Sequence, residues 1–375
     1  MRGDRTMITL HTALWNAATH LQQRAVKLLV LLLVSLPLLL SGCQSDRALP
    51  TSGEYDPSVE SYDHAFAALM RKWDIPGGAL AVMKDGQLLL ARGYGLADVE
   101  RAEPVQPDTL FRIASVSKPI TAVAVLKLVE EGRLSLDTPA FSLLDEFQPP
   151  AGKDPDPRIA TITIRQLLQH AGGWDSAQSF DPMFRSSEAA QEVGAPAPAD
   201  CPTTIRYMLG QPLDFDPGSR YAYSNLGYCV LGRIIEEVTG ETYADYVQHQ
   251  VLAPMGIERM HLGRSLLSGR QPGEVRYYDD EGAPLAPSVF PDQGSPTPWP
   301  YGGFHLEAMD AHGGWIGSAT DLGRFAWAVD QANPTAALKP ATLTLMLSRP
   351  PAPLWEGKSD YYALGWRVLS SPELK

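Results

Sequence analysis

The chain has 375 residues, with 31 Lys plus Arg against 43 Asp plus Glu and a formal net charge of −12. Hydrophobic residues at 44% and charged residues at 20% exclude a disordered chain. The acidic balance, with a pI near 5.1, argues against nucleic acid, whose phosphates need a positive surface.

In chain order, Arg24 and Lys27 precede an apolar run from Leu28 to Leu40, interrupted by Ser35 and Pro37. That run is too short for a membrane span, which needs about 20 residues, and suits the core of an export signal. It ends in Leu40-Ser41-Gly42-Cys43, which resembles a bacterial lipoprotein signal. Residues 1–43 are therefore expected to be a signal peptide, with Cys43 lipidated as the first mature residue and Gln44 after it pointing to the outer membrane, facing the periplasm. The alternative is a plain export signal with a chance cysteine. Cleavage would leave a more acidic chain, because four of the five charges removed are basic.

Residues 44–58 read as a polar tether, and 59–375 as the folded domain. Asp63 to Trp73 predicts a helix. Ala79–Met83 and Leu88–Tyr94 predict strands joined at Lys84-Asp85-Gly86-Gln87, where Asp-Gly signals a hairpin. Val116–Glu130 is apolar nearly all round and predicts a buried helix closing at Gly132. Thr163-Ile164-Arg165-Gln166 is a capping box, opening a helix expected to stop at Gly172-Gly173. Cys201 and Cys229 would meet an oxidising compartment, where a disulfide persists, but spacing does not show that they approach; the expectation is two small buried apolar residues, with the disulfide as the alternative. Leu226, Val230, Ile234 and Val238 form an apolar stripe with Arg233, Glu236 and Glu237 off it, ending at Gly240. Three Pro/Gly-rich stretches, 148–157, 181–202 and 268–303, predict long loops of the kind that border sites. Ser318-Ala319-Thr320-Asp321 opens a helix to about Asp330, and Tyr361–Leu369 reads as a strand. The pattern implies an α+β fold: an antiparallel sheet from both chain ends flanked by helices, with an inserted, mainly helical lobe. The histidines form no metal-binding pattern, and no metal or cofactor is expected.

The chemistry starts at Ser115-Val116-Ser117-Lys118. A serine hydroxyl is a weak nucleophile and needs a neighbouring base. Three residues on, at a helix start, Lys118 shares a face with Ser115. The helix N-terminus adds positive potential and free N–H groups useful to an oxyanion, and together with burial it lowers the lysine pKa toward a usable base. Alone, S-x-x-K is a weak motif.

Its company is more specific. Phe111-Arg112-Ile113-Ala114 leads into it, Asp216-Pro217-Gly218 precedes Tyr223-Ser224-Asn225, and Leu226-Gly227-Tyr228 follows. Ile162 to His170 and Gly313 to Leu322 add further matches. Together these resemble the serine β-lactamase and penicillin-binding-protein superfamily, on the class C β-lactamase and esterase side, from about residue 60 to 369. The resemblance implies a β-lactamase/transpeptidase-like fold and a serine hydrolase working through an acyl-enzyme on a β-lactam, D-alanyl peptide or carboxylic ester. Ser115 would be the nucleophile, Lys118 its proton acceptor, and Tyr223 the acid/base serving leaving group and deacylating water. Asn225 would bind substrate or fix Lys118.

The family's third motif, Lys or His followed by Thr or Ser and Gly, is expected after Tyr361–Leu369, but this sequence stops at Lys375. Lys358-Ser359-Asp360 has Asp where Gly is needed, and His312-Gly313-Gly314 lies before a helix. The expectation is a chain short of its C-terminal strands, with reduced activity and stability. Two alternatives compete with the hydrolase: a Ser115, His170, Asp175 triad, and a lipid-anchored remnant that binds peptidoglycan or a partner without turnover.

Overall fold

The computed structural model describes residues 49–330, 333–334 and 336–369. The expected signal peptide and Cys43 lie outside them. Glu60–Lys72 forms α1, followed by the hairpin β1 (Gly77–Lys84) and β2 (Gln87–Asp98). The two-residue turn has Asp85 at φ 51° and Gly86 at φ 76°, the left-handed pair that matches strand twist. Lys84 pairs with Gln87, and the register slips once between Val82 and Met83. Thr51–Ser52, in the stretch read as a tether, adds to β2 opposite Tyr94 and Gly93. α1 covers this hairpin through Met70, and Asp63 on α1 accepts from the Tyr94 hydroxyl and from Arg92 (2.9 Å).

The larger core belongs to the helices. α2 (Ser117–Glu130) buries Ile120, Val123, Val125, Leu126 and Leu128 completely, as expected of a helix apolar on every side. It packs against α6 (Asn225–Thr239), with α3 (Ile164–Leu168), α4 (Ser186–Val193) and α5 (Cys201–Leu209) completing the lobe. A disulfide joins Cys201 on α5 to Cys229 on α6, the alternative that spacing alone left open. α6 closes where expected, at Gly240 with φ 76°. Arg233 departs from the amphipathic reading: it is buried, held between Asp310 and Glu236.

Three small strands tie the lobe together. β3 (Phe111–Arg112) pairs with β5 (Trp315–Gly317), and β5 also pairs with β4 (His261–Leu262). β5 runs into α7 (Ala319–Ala328), capped reciprocally by Ser318 and Asp321, and α7 packs on β1. The unforeseen α8 (Pro340–Met346) follows.

The structure corrects three expectations. The capping box at Thr163 and Gln166 is present, but α3 ends at Leu168 because His170 enters the left-handed region at φ 54° and Ala171 N–H bonds back to the Gln166 carbonyl (2.8 Å). Residues 181–202 are not a loop: they hold α4 and the start of α5. Tyr361–Leu369 is not one strand but a tight hairpin, β6 (Tyr361–Tyr362) on β7 (Arg367–Val368), turned at Gly365 with φ 85°. Among the described residues this hairpin pairs only with itself, so no single sheet unites both chain ends. The fold is α+β, with antiparallel hairpins around a helical lobe.

Candidate active site

Phe111 and Arg112 enter the site as β3, and Ile113 N–H bonds to the Trp315 carbonyl (3.0 Å) on β5. The Arg112 guanidinium anchors this entry, donating to the Pro300 and Arg264 carbonyls (2.7 Å each) and lying 4.3 Å from the Tyr277 ring centre. The 268–303 stretch thus braces the site's approach. Ala114 then takes φ 46°, a strained conformation for a residue with a Cβ, and starts a single 3-10 turn through Val116. The turn leaves Ser115 exposed at its tip while Lys118, in the first turn of α2, is 1% exposed. Residues three apart nearly eclipse in a 3-10 turn, and Lys118 Nζ lies 3.2 Å from Ser115 Oγ.

Tyr223 and Asn225 arrive from the opposite side. Ala222 N–H bonds to the His170 carbonyl (2.9 Å) and Ser224 N–H to His170 Nδ1 (3.1 Å), pinning this extended segment to the chain after α3. Ser224 caps α6 by accepting from Gly227 N–H. Between those anchors the Tyr223 hydroxyl donates to Ser115 Oγ (2.6 Å). Asn225 Oδ1 accepts from Lys118 Nζ (2.7 Å). A further Lys118 proton goes to the His312 backbone carbonyl (3.0 Å). All four residues singled out by the two motifs therefore converge on one point.

Electrostatics separate their protonation states. Burial pulls the Lys118 ammonium down to about 7, opposed by the charge of Asp181. Burial pushes the Tyr223 phenol up, partly offset by its bond to Ser115. At neutral pH much of Lys118 is uncharged while Tyr223 keeps its proton. A neutral amine has two N–H groups and one lone pair. Its two N–H groups match Asn225 Oδ1 and the His312 carbonyl, which leaves the lone pair for the Ser115 hydroxyl.

His170 and Asp175 do not form a triad with Ser115. The His170 ring is buried against Tyr223 (centroids 4.4 Å) and Tyr362 (4.5 Å), its Nδ1 is taken by Ser224, and Asp175 pairs with Arg220 (2.7 Å). Neither third-motif look-alike offers a side chain either. Lys358–Asp360 lies in the turn held by Arg349, which donates to the Ser359 carbonyl, while His312 contributes its backbone carbonyl and buries its ring.

Asp181 escaped the sequence reading. It caps the short 3-10 turn Pro182–Phe184, Oδ1 accepting from Met183 N–H (3.1 Å), while Oδ2 accepts from Asn225 Nδ2 (2.6 Å). An Asp-Pro pair reads as a turn signal, which hides its other contact. The His312 carbonyl was equally invisible, since no side-chain motif marks a backbone acceptor.

A protein-family model described as Beta-lactamase matches residues 62–374. Esterase EstB of Burkholderia gladioli is 35% identical over 221 residues, covering 55% of this chain and 54% of its own. Protein flp of Staphylococcus aureus strain N315 is 31% identical over 199 residues, 53% of this chain and 37% of its own. The chain thus spans about half or less of these curated relatives. Among solved structures, the octameric penicillin-binding protein homologue of Pyrococcus abyssi superposes with a TM-score of 0.60 at 26% identity, over 82% of this chain and 64% of that one. EstCE1, a hydrolase with promiscuous acyltransferase activity, gives 0.61 at 21% identity, over 85% and 86%, and shows a shared fold.

Proposed function

The chain belongs to the Beta-lactamase family, and from that premise we propose that it is a serine hydrolase that acts through an acyl-enzyme on an ester or amide. The observation that carries this reading is the pairing of Ser115 Oγ with both Lys118 Nζ and the Tyr223 hydroxyl. Neutral Lys118 takes the hydroxyl proton as Oγ attacks the substrate carbonyl, and the electron pair moves onto the carbonyl oxygen. The Ser115 N–H, in the turn that opens α2, supplies a donor to that oxyanion in this reading, and the helix N-terminus favours its charge. As the intermediate collapses, Tyr223 gives its proton to the departing alkoxide or amine, and the Lys118 ammonium returns one to Tyr223. Water then repeats the sequence on the acyl-enzyme, with Lys118 neutral again.

Carboxylic esters are the substrates put first, supported by esterase EstB among the relatives; β-lactams and D-alanyl peptides are the competing classes. We also propose export and a lipid anchor at Cys43, facing the periplasm from the outer membrane. The disulfide between Cys201 and Cys229 supports an oxidising compartment. No helix among the described residues is long and apolar enough to cross a membrane.

The test is a fluorophosphonate probe followed by peptide mapping, beside turnover of a p-nitrophenyl ester, a chromogenic cephalosporin and a D-alanyl-D-alanine peptide. Labelling at Ser115 that Ser115→Ala abolishes, with turnover of one of the three, is expected. An unlabelled, folded wild-type chain would leave the binding-only reading in its place.

A further inference from the structure

We propose that Asp181 is a positioning residue for the Ser115–Lys118 pair: its carboxylate dictates which end of the Asn225 amide faces Lys118. This rests on the hydrolase reading above. An amide side chain has an acceptor end and a donor end, and only the acceptor end helps an amine already placed to donate. Asn225 turns Oδ1 to Lys118 (2.7 Å) and Nδ2 to Asp181 Oδ2 (2.6 Å). Asp181 Oδ1 is taken by Met183 N–H, so both carboxylate oxygens accept and the ionised form satisfies the site. With that partner in place, a flipped Asn225 would set its carbonyl against a carboxylate and its NH2 against the lysine. The wrong orientation is excluded at both ends at once.

The same carboxylate acts on Lys118 through its charge. The groups facing Lys118 are Ser115 on the turn before α2, Tyr223 before α6, Asn225 and Tyr228 on α6, His170 after α3, and His312 before β5. Both histidines are held neutral by burial, and the tyrosine phenols are protonated. Beyond His312, Arg233 is matched by Asp310 and Glu236. Asp181 is therefore the negative charge that keeps Lys118 from losing its proton at still lower pH, opposing burial.

The experiment is the pH dependence of ester turnover, with fluorophosphonate labelling of Ser115 as the control for the hydrolase reading. In Asp181→Asn, the remaining oxygen stays with Met183 N–H and sets the NH2 against the Asn225 NH2; the Asn225 amide then turns over, and Lys118 loses both an acceptor and a nearby anion. Turnover should fall roughly tenfold or more with KM little changed. The acid limb should move to lower pH by about one unit, because more acid is needed to protonate Lys118 once its ammonium is less stabilised. The exchange Asp181→Asn with Asn225→Asp restores a donor facing an acceptor and brings the anion against Lys118. It should recover activity over either single variant, with an acid limb above the wild-type one. Asp181→Ala keeps the pH test available if Asp181→Asn fails to fold. A wild-type limb and rate in the labelled single variants, or no recovery in a folded exchange variant, would overturn the proposal while leaving the hydrolase intact. An unlabelled wild type would overturn both.

Discussion

At the scale of single residues, division of labour follows from burial. Lys118 and Tyr223 touch the same oxygen, yet burial acts on them in opposite ways, stripping charge from the amine and preserving the phenol's proton. Tyr223→Phe keeps the ring packed on His170 and removes only the hydroxyl. We expect kcat for ester turnover to fall by about 10²–10⁴, the usual worth of a general acid–base group, with thermal stability close to wild type. A variant retaining most of its kcat would move the proton path away from Tyr223. Ser115, Lys118, Tyr223 and Asn225 were legible because each lies in a short motif. Asp181 lies 42 positions before Tyr223 in a turn, and only folding brings it to Asn225. A backbone carbonyl such as that of His312 has no signature in residue type.

At the scale of elements, local chemistry predicted well wherever one residue decides the geometry. The Asp85-Gly86 turn, the Thr163 capping box, the helix start at Ser318 and the Gly240 terminus stand where the sequence put them, since each rests on a φ value or a reciprocal hydrogen bond. Prediction failed where tertiary contacts outvoted pattern. Residues 181–202 carry the Pro, Gly and Ser of a loop, but Ala189 and Ala190 pack α4 into the core. Alternation in Tyr361–Leu369 suggested one strand, while Gly365 reverses the chain against α2. A Cβ at Gly365 would lie 2.4 Å from the Ala122 Cβ, one turn along the helix from Lys118, on backbone at φ 85°. Gly365→Ala should therefore cost about 1–3 kcal/mol in chemical denaturation and lower ester turnover as well. Gly282→Ala, at φ 78° with open space around it, should cost strain alone and leave turnover unchanged.

For the whole molecule, the helical lobe is closed by the disulfide between α5 and α6, 28 residues apart. Replacing both cysteines by serine should destabilise the protein by about 3 kcal/mol without moving the acid limb of turnover, because neither sulfur contacts the site. Unchanged denaturation midpoints would show that the crosslink does not constrain the unfolded chain. Location is a separate matter, and the proposed lipid anchor rests on residues 28–43. Cys43→Ala should move the protein from the membrane fraction to the soluble one with its melting curve intact, and retention in the membrane would sink the lipid-anchor reading. The fold class was legible because hairpin, buried helix and amphipathic helix each carry their own periodicity. The way the strands divide into separate small sheets was not, since pairing partners lie far apart in sequence. The most direct measurement is the single-turnover acylation rate of Ser115 from pH 5 to 9, read by quenched-flow mass spectrometry of the intact protein. The account predicts a rate that rises with pH through about 7 as Lys118 loses its proton, then a plateau, and no measurable acylation in Lys118→Arg. A rate flat across that range, or a Lys118→Arg variant acylated as fast as wild type, would contradict it.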